Sequence, residues 1–325
     1  MSRVAVILFN LGGPDGPGTV RPFLFNLFND PAIIKMPGPL RWFLAKYLAA
    51  KRTPAAQAIY AQIGGRSPLL DLTLKQAHAL EDRLNGAQGS NSYKAFIAMR
   101  YWHPFSHEAA REARKYDPDK VILLPLYPQF STTTTGSSLK DWKKAARRVG
   151  LHAKTYFIEQ YPAQRDFIKA HVTLLKEALL EIEREDGAFS TRVLFSAHGL
   201  PKKIVAAGDP YPKQVEETVH AVVKKMANPD LDWVLCYQSR VGPLEWIGPS
   251  TDAELRRAGR DKVSVVVVPI AFVSEHSETL VELDIEYRDL AKEWGVPRYY
   301  RVPALGVSDE FIEGLANLAK ETLGG

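Results

Sequence analysis

Apolar runs of strand length recur eight times in this 325-residue chain, in two sets of four, and that recurrence limits the available folds more than any other feature. The first set is VAVILFNLGGP (4–14), SYKAFIAMRYWHP (92–104), KVILLPLYPQF (120–130) and AKTYFIEQYP (153–162). The second is RVLFSAHGLP (192–201), DWVLCYQSRVGP (232–243), KVSVVVVPIAF (262–272) and PRYYRVPALG (297–306). Amphipathic helical patterns lie between most of them, and alternation of this kind builds a parallel sheet with helices on both faces and right-handed crossovers. The stretch at 263–273 reads as a strand buried on both faces, as continuous β-branched runs do in parallel sheets. Each set closes on a similar helical segment, RDFIKAHVTLLKEALLEI (165–182) and DEFIEGLANLAKETL (309–323), whose FI and LxKE positions coincide. The pattern predicts a duplicated four-stranded unit: an α/β protein of two similar Rossmann-like domains, with a cleft between their strand ends.

Composition narrows the partners. A hydrophobic fraction of 46% and a charged fraction of 24% are those of a soluble globular protein. The opening RVAVILFNLGGP is broken too soon for a signal peptide, and no run reaches the ~20 apolar residues of a membrane helix. Cys236 is the one cysteine, so no internal disulfide forms and a reduced, cytoplasmic setting is expected. The formal charge is only +5, without a basic stripe interleaved with aromatics, which argues against nucleic acid. The glycine-rich NLGGPDGPG (10–18) is interrupted by Pro14 and Pro17 and lacks a following GKS or GKT, so nucleotide binding is not expected either.

Two segments carry chemistry. TRVLFSAHGLP (191–201) delivers Ser196 and His198 to a strand's carboxyl end, where ligands bind in open α/β sheets. After the strand at 263–273, SEHSETLVELDIEY (274–287) reads as helical and aligns Glu278, Glu282 and Glu286 at four-residue spacing, with His276 near the start. Like charges stacked this way cost a few tenths of a kcal/mol per pair, unless a cation offsets the repulsion. The plainer reading is a solvated acidic face, which is also the reading for Asp284. Imidazole with carboxylate suits Fe, Zn or Ni better than Mg or Ca. The spacing is not HExxH, and no CxxC pair exists.

At these residues the chain resembles the ferrochelatases, enzymes that insert ferrous iron into a porphyrin. The resemblance runs through NLGGP (10–14), IGGRSPL (63–69), RYWHP (100–104), LYPQFSTTTTGSS (126–138), SAHGLP (196–201), GDPYP (208–212), QSRVGPLEWIGPST (238–251) and HSETLVELDIEY (276–287). It implies a chelatase-like fold with a porphyrin cleft between the domains and the two terminal helices exchanged. The first domain is then 1–160 plus the C-terminal helix at about 306–325, and the second is 161–305 with His198 and Glu278. His198 and Glu278 are the implied catalytic pair, one taking pyrrole protons and the other holding iron. Glu282 and Glu286 join them as metal-binding residues along an entry line, on a helix with a π-type widening. Leu11, Leu27, Tyr60, Arg100, Tyr101, Tyr127, Ser131 and Trp246 line or border the porphyrin cleft in the family. Arg52 and the hydroxyls of 131–135 offer grips for its propionates, although a capped turn before a helix near Leu139 explains the hydroxyls equally well.

Further expectations follow from the resemblance. MPGPLRWFLAKYLAAKR (36–52) combines Leu40, Trp42, Phe43, Leu44 and Tyr47 with Arg41, Lys46, Lys51 and Arg52, a composition that suits a lipid headgroup layer. In the family this region is a lip over the pocket, which implies peripheral contact at the inner face of the membrane; the alternative is a helix packed on the core. The substrates are protoporphyrin IX and Fe²⁺, with no permanently bound cofactor. One cysteine cannot furnish the Cys₄ set of cluster-bearing relatives, so no iron–sulfur cluster is expected, and a monomer is. The alternatives are a chelatase for coproporphyrin or cobalt, and a non-catalytic haem or metal carrier of the same fold.

Overall fold

A computed structural model of the chain describes residues 2–86, 91–186 and 190–324, apart from the side chains of 185 and 186. All eight expected strands are present, and they form two four-stranded parallel sheets. The chain divides into two compact units, one comprising Met1–Tyr161 with Ile312–Gly325, the other Pro162–Phe311.

Unit 1 is built on β1 (Ser2–Asn10), β2 (Asn91–Met99), β3 (Lys120–Pro125) and β4 (Lys154–Phe157), in the order β2-β1-β3-β4. Its helices are α1 (Val20–Phe28), α2 (Gly38–Ala61), α3 (Leu69–Asn85), α4 (Ser106–Tyr116) and α5 (Thr135–Val149). Residues 4–10 of β1 are all buried, because the strand is central and covered on both faces. One core layer gathers Ile7, Phe9, Phe96, Leu123 and Trp142 against Ala109, Ala110 and Ala113 of α4. Another packs Val20, Phe23 and Leu24 of α1 against Ala49, Tyr60 and Tyr101. Gly12 has φ +82°, and Gly13 lies so close to Ser67 that a Cβ there would meet the Ser67 Oγ at 2.4 Å. Gly13 thus lets the β1 turn lie against the 63–69 segment, while Gly12 turns the chain beside Trp102 and Met99.

Unit 2 begins with α6 (Arg165–Asp186) and repeats the order as β6-β5-β7-β8, using β5 (Thr191–His198), β6 (Asp232–Gln238), β7 (Ser264–Pro269) and β8 (Tyr299–Arg301). Between the strands lie α7 (Lys202–Ala206), α8 (Tyr211–Met226), α9 (Thr251–Asp261), a π-helix (Glu278–Glu286) and α10 (Tyr287–Glu293); α11 (Asp309–Thr322) follows β8. Every residue of β7 is buried, in keeping with its valine run. Leu194, Val265 and Val267 pack with Leu255, Ala258 and Leu283. Trp294 approaches α9 closely at Gly259, where a Cβ would stand 2.1 Å from the Trp294 carbonyl oxygen.

The π-helix is braced by side chains. An α-helix turns about 400° over four residues, whereas i→i+5 bonding widens each turn and lets the carbonyls take further donors. Side chains provide them: Gln238 Nε2 donates to the Glu278 carbonyl (3.0 Å), Tyr299 OH to that of Leu283 (2.7 Å) and Arg288 Nε to that of Asp284 (2.9 Å). Asp284 departs from the solvated face expected of it. Arg301, only 8% exposed, grips both of its oxygens and also holds Glu275, 2.5 Å away. The widened helix turns Asp284 toward β8, where that guanidinium sits.

Candidate metal-handling site

Parallel order sets His198 at the carboxyl end of β5, in register with Gln238 of β6, and the π-helix starts in the segment after β7. His198 Nε2 stands 3.6 Å from Glu278 Oε1, while His198 Nδ1 donates to the Gly199 carbonyl at 2.6 Å. The backbone bond fixes the ring so that Nε2 faces the carboxylate. Glu278 Oε2 lies 3.3 Å from His276 Nε2, so one carboxylate is flanked by two imidazoles. The Trp246 ring sits 6.4 Å from that of His198, and Gly199 leaves room for it, since a Cβ there would meet Trp246 Cε3 at 3.2 Å. Trp246 Nε1 is buried without a hydrogen-bond partner.

Electrostatics tie the pair together. Burial disfavours the charged imidazole, but the Glu278 carboxylate and the Gly199 carbonyl outweigh it and raise the His198 pKa to about 9. Burial likewise disfavours the Glu278 anion, yet the charge and hydrogen bond of His198, with the hydrogen bond from His276, hold its carboxyl well below the usual range. The metal-free pair is therefore imidazolium and carboxylate at neutral pH, whereas the sequence alone suggested a neutral base.

Glu282 is held by the protein. Ser239 donates to it through its backbone N–H (2.7 Å) and Oγ (2.5 Å), Gln238 through Nε2 (3.1 Å) and Tyr287 through its hydroxyl (3.2 Å). Burial and the charge of Glu278 nevertheless push its pKa up, against the hydrogen bonds from Ser239. Ser239 adopts φ 61°, a left-handed conformation that aims both of its donors at the carboxylate. Glu286 is exposed at the far end of the π-helix. Among the described residues, no group of three or more His, Cys, Asp or Glu side chains converges to hold a metal ion. His198 and Glu278 are brought together, while Glu282 and Glu286 follow along the helix rather than closing a cage.

In unit 1, Leu11, Leu27, Tyr60 and Tyr101 belong to one apolar cluster. Tyr101 is fully buried and donates its hydroxyl to Asp30 (2.9 Å), so it acts from within the core. Arg100 pairs with the buried Asp30 at 2.9 Å, donates from Nε to Ser137 Oγ (2.6 Å) and lies 5.0 Å from the Tyr101 ring centre. Tyr127 is half-buried, with its hydroxyl enclosed beside Ser138. Ser131 is buried, its Oγ 2.8 Å from Thr133 Oγ1 and accepting from the Thr133 N–H, which is the turn chemistry weighed for this run; the helix then starts at Thr135. Arg52 is exposed on α2.

The 36–52 segment forms the first part of α2 with its apolar side chains outward. Leu40, Trp42, Phe43 and Tyr47 are exposed, Phe43 at 66%, and Leu44 is half-buried. Trp42 packs edge-on to Phe43 (4.9 Å) and lies 5.1 Å from Lys46 Nζ. The helix meets the core through Ala45 and Ala49, while Leu40, Trp42, Phe43 and Tyr47 do not pack on it. Among the described residues, no helix is long and apolar enough to cross a membrane.

Sequence reasoning missed Gln238, Ser239 and Asp30, and it left His276 without a contact. Gln238 and Asp30 are polar residues beside apolar runs, and their burial was the only signal. The partners that make them matter lie 40 or more residues away.

Two Rossmann-like halves, one gathering imidazole and carboxylate at its strand ends, define a protein of the chelatase class. Solved structures agree on the fold: the sirohydrochlorin chelatase SirB from Bacillus subtilis subspecies spizizenii aligns with a TM-score of 0.55 at 12% identity, over 99% of this chain and 95% of that one. DR2241 from Deinococcus radiodurans aligns with a TM-score of 0.52 at 12% identity, over 99% and 56%. The family model "Ferrochelatase" matches residues 3–323. A ferrochelatase of Caulobacter vibrioides is 54% identical over 322 residues, covering 99% of this chain and 91% of that protein. One of Wolbachia sp. subsp. Drosophila simulans is 53% identical over 316 residues, covering 97% and 98%. The chain belongs to the ferrochelatase family.

Proposed function

We propose that this enzyme inserts Fe²⁺ into protoporphyrin IX to give protohaem, the last step of haem formation, with His198 and Glu278 at the chemistry. The observation that carries the assignment of roles is the 3.6 Å approach of the His198 and Glu278 side chains at the end of β5. Two pyrrole protons must leave as the cation enters. The same carboxylate that attracts Fe²⁺ is what keeps His198 protonated. Once the cation neutralises Glu278, the imidazolium releases its proton to water and the neutral ring is left to take a pyrrole proton, so metal arrival and base activation are coupled. A carrier would need ligands but no base, and the imidazole–carboxylate pair favours catalysis over that reading.

Glu286, exposed, and Glu282, half-buried, guide Fe²⁺ toward Glu278. Leu11, Leu27 and Tyr60 give the macrocycle an apolar wall, and the exposed Arg52 favours its carboxylates. The exposed Leu40, Trp42, Phe43 and Tyr47 with Lys46 rest on a lipid headgroup layer, which makes the protein peripheral at the inner face of the membrane. No permanently bound cofactor or iron–sulfur cluster takes part, and the working unit is a monomer. Anaerobic incubation with Fe²⁺ and either protoporphyrin or coproporphyrin, followed by absorption, tests the reading. Protohaem formation with only slow metallation of coproporphyrin is expected; the reverse preference would overturn the substrate assignment.

A further inference from the structure

A concavity of about 730 Å³ lies on unit 1, lined by His107, Arg111, Arg114 and Lys115 of α4 and by Arg148 and Val149 of α5. The four α4 residues share one face of the helix, at i, i+4, i+7 and i+8. The opposite face carries Ala109, Ala110 and Ala113 into the core, so the basic face is the one left to solvent. Over residues 107–154 ten Lys and Arg meet only five Asp and Glu, a surplus equal to the whole chain's formal +5. The acids nearby are engaged elsewhere: Glu108 with His103 and Asp117 with Arg3, leaving Glu112 with Lys115. Arg111 and Arg148 have no carboxylate at ion-pair distance among the described residues.

Helix-end electrostatics explain part of this. Arg114, Lys115 and Arg148 stand in the last turns of their helices, where cations are favoured. They do not explain Arg111 or His107, nor why five basic side chains surround a concavity rather than spread over the surface. Arg114 is also fixed in place, donating from Nη1 to the Val149 carbonyl. A held guanidinium loses less freedom on meeting an anion. Arginine forks match phosphate oxygens two at a time, and the cleft's size falls in the range of small-molecule sites. Its compactness, without interleaved aromatics, disfavours an extended nucleic acid.

We propose that the α4–α5 cleft is a binding site for a small phosphate-bearing anion. A free polyphosphate and a phospholipid headgroup share this chemistry. The site is independent of the chelation chemistry at His198 and Glu278.

The test uses the metal-free full chain, Arg111→Gln/Arg148→Gln, and a charge-matched control, Lys224→Gln/Lys225→Gln, on the last turn of α8. Inorganic pyrophosphate is titrated by calorimetry at low and physiological salt. In parallel, the proteins are sedimented with phosphatidylglycerol and with phosphatidylcholine vesicles. Saturable one-to-one pyrophosphate binding, weakened at least tenfold in the arginine variant and unchanged in the lysine control, supports a free polyphosphate. Phosphatidylglycerol-dependent sedimentation lost in the arginine variant alone, without pyrophosphate binding, supports a headgroup. No saturable binding to either, or equal weakening in both variants, overturns the site. Circular dichroism and unchanged iron insertion confirm that the exposed substitutions leave the fold intact.

Discussion

Glu278→Gln should release the proton that His198 holds in the metal-free protein. The pair is 3.6 Å apart, for which Coulomb's law at an effective dielectric of ~20 gives an attraction of about 4–5 kcal/mol. Both side chains are about a third exposed, so solvent screening reduces this to about 2–3 kcal/mol, or about two pH units in the imidazole's titration. Burial, which opposes the charged ring, persists in the variant. His198 should therefore titrate about two units lower, near 7, instead of near 9. Histidine ring resonances followed by heteronuclear NMR from pH 5 to 10, with His198→Ala for assignment, measure this directly. Stability should change in step. A raised histidine value stabilises the fold below the unfolded pKa, and the benefit is lost as pH rises from about 6.5 through about 9. Glu278, held low chiefly by the imidazolium, contributes above its unfolded value until His198 loses its charge near pH 9, and also loses that contribution as pH falls through its folded value. The variant should thus lose stability near pH 6 and little near pH 10. A His198 resonance that still titrates near 9 after removal of the Glu278 charge would refute the coupling.

The remaining predictions separate site, surface and core. Glu286→Gln should raise the apparent KM for Fe²⁺ at unchanged melting temperature, whereas Glu282→Gln should also cost about 1–3 kcal/mol of stability by facing an amide against the Ser239 donors; equal melting temperatures would refute that distinction. Replacing Leu40, Phe43 and Tyr47 together by serine should weaken sedimentation with anionic vesicles and spare thermal stability, because all three are exposed; unchanged vesicle binding would count against the membrane role. His171 is buried, with Nε2 unpartnered, and burial lowers its pKa to about 3. The unfolded chain then binds the proton more readily, so stability falls by up to about 1.4 kcal/mol per pH unit on acidification below about 6.5. Urea midpoints at pH 6.5 and 4.5 should differ less in His171→Leu than in the parent, and an equal difference would remove this histidine from the acid response.

The strands and their grouping into two parallel sheets were legible because alternation of apolar runs with amphipathic segments is a local signal; the order within each sheet was not. Sequence placed His198 and Glu278 at strand ends for the same reason. What sequence alone missed depends on contacts distant along the chain. The neutral His198 expected from its ordinary pKa became an imidazolium because a residue 80 positions later lies 3.6 Å away. Asp284 looked solvated until Arg301 of β8 closed on it. The direction of the α2 apolar face was equally open, since a stripe of Trp, Phe and Leu reads alike whether it meets a core or a lipid layer.

The central claim is that His198 takes protons during metal insertion and does not simply shape the site. Single-turnover metallation of protoporphyrin by His198→Ala under anaerobic, saturating Fe²⁺, with porphyrin fluorescence titration on the same sample, tests it most directly. The account predicts that insertion is abolished while porphyrin affinity stays within a few-fold of the parent, since the side chain lies at a strand end outside the packed core. Insertion at a rate near that of the parent protein would contradict it.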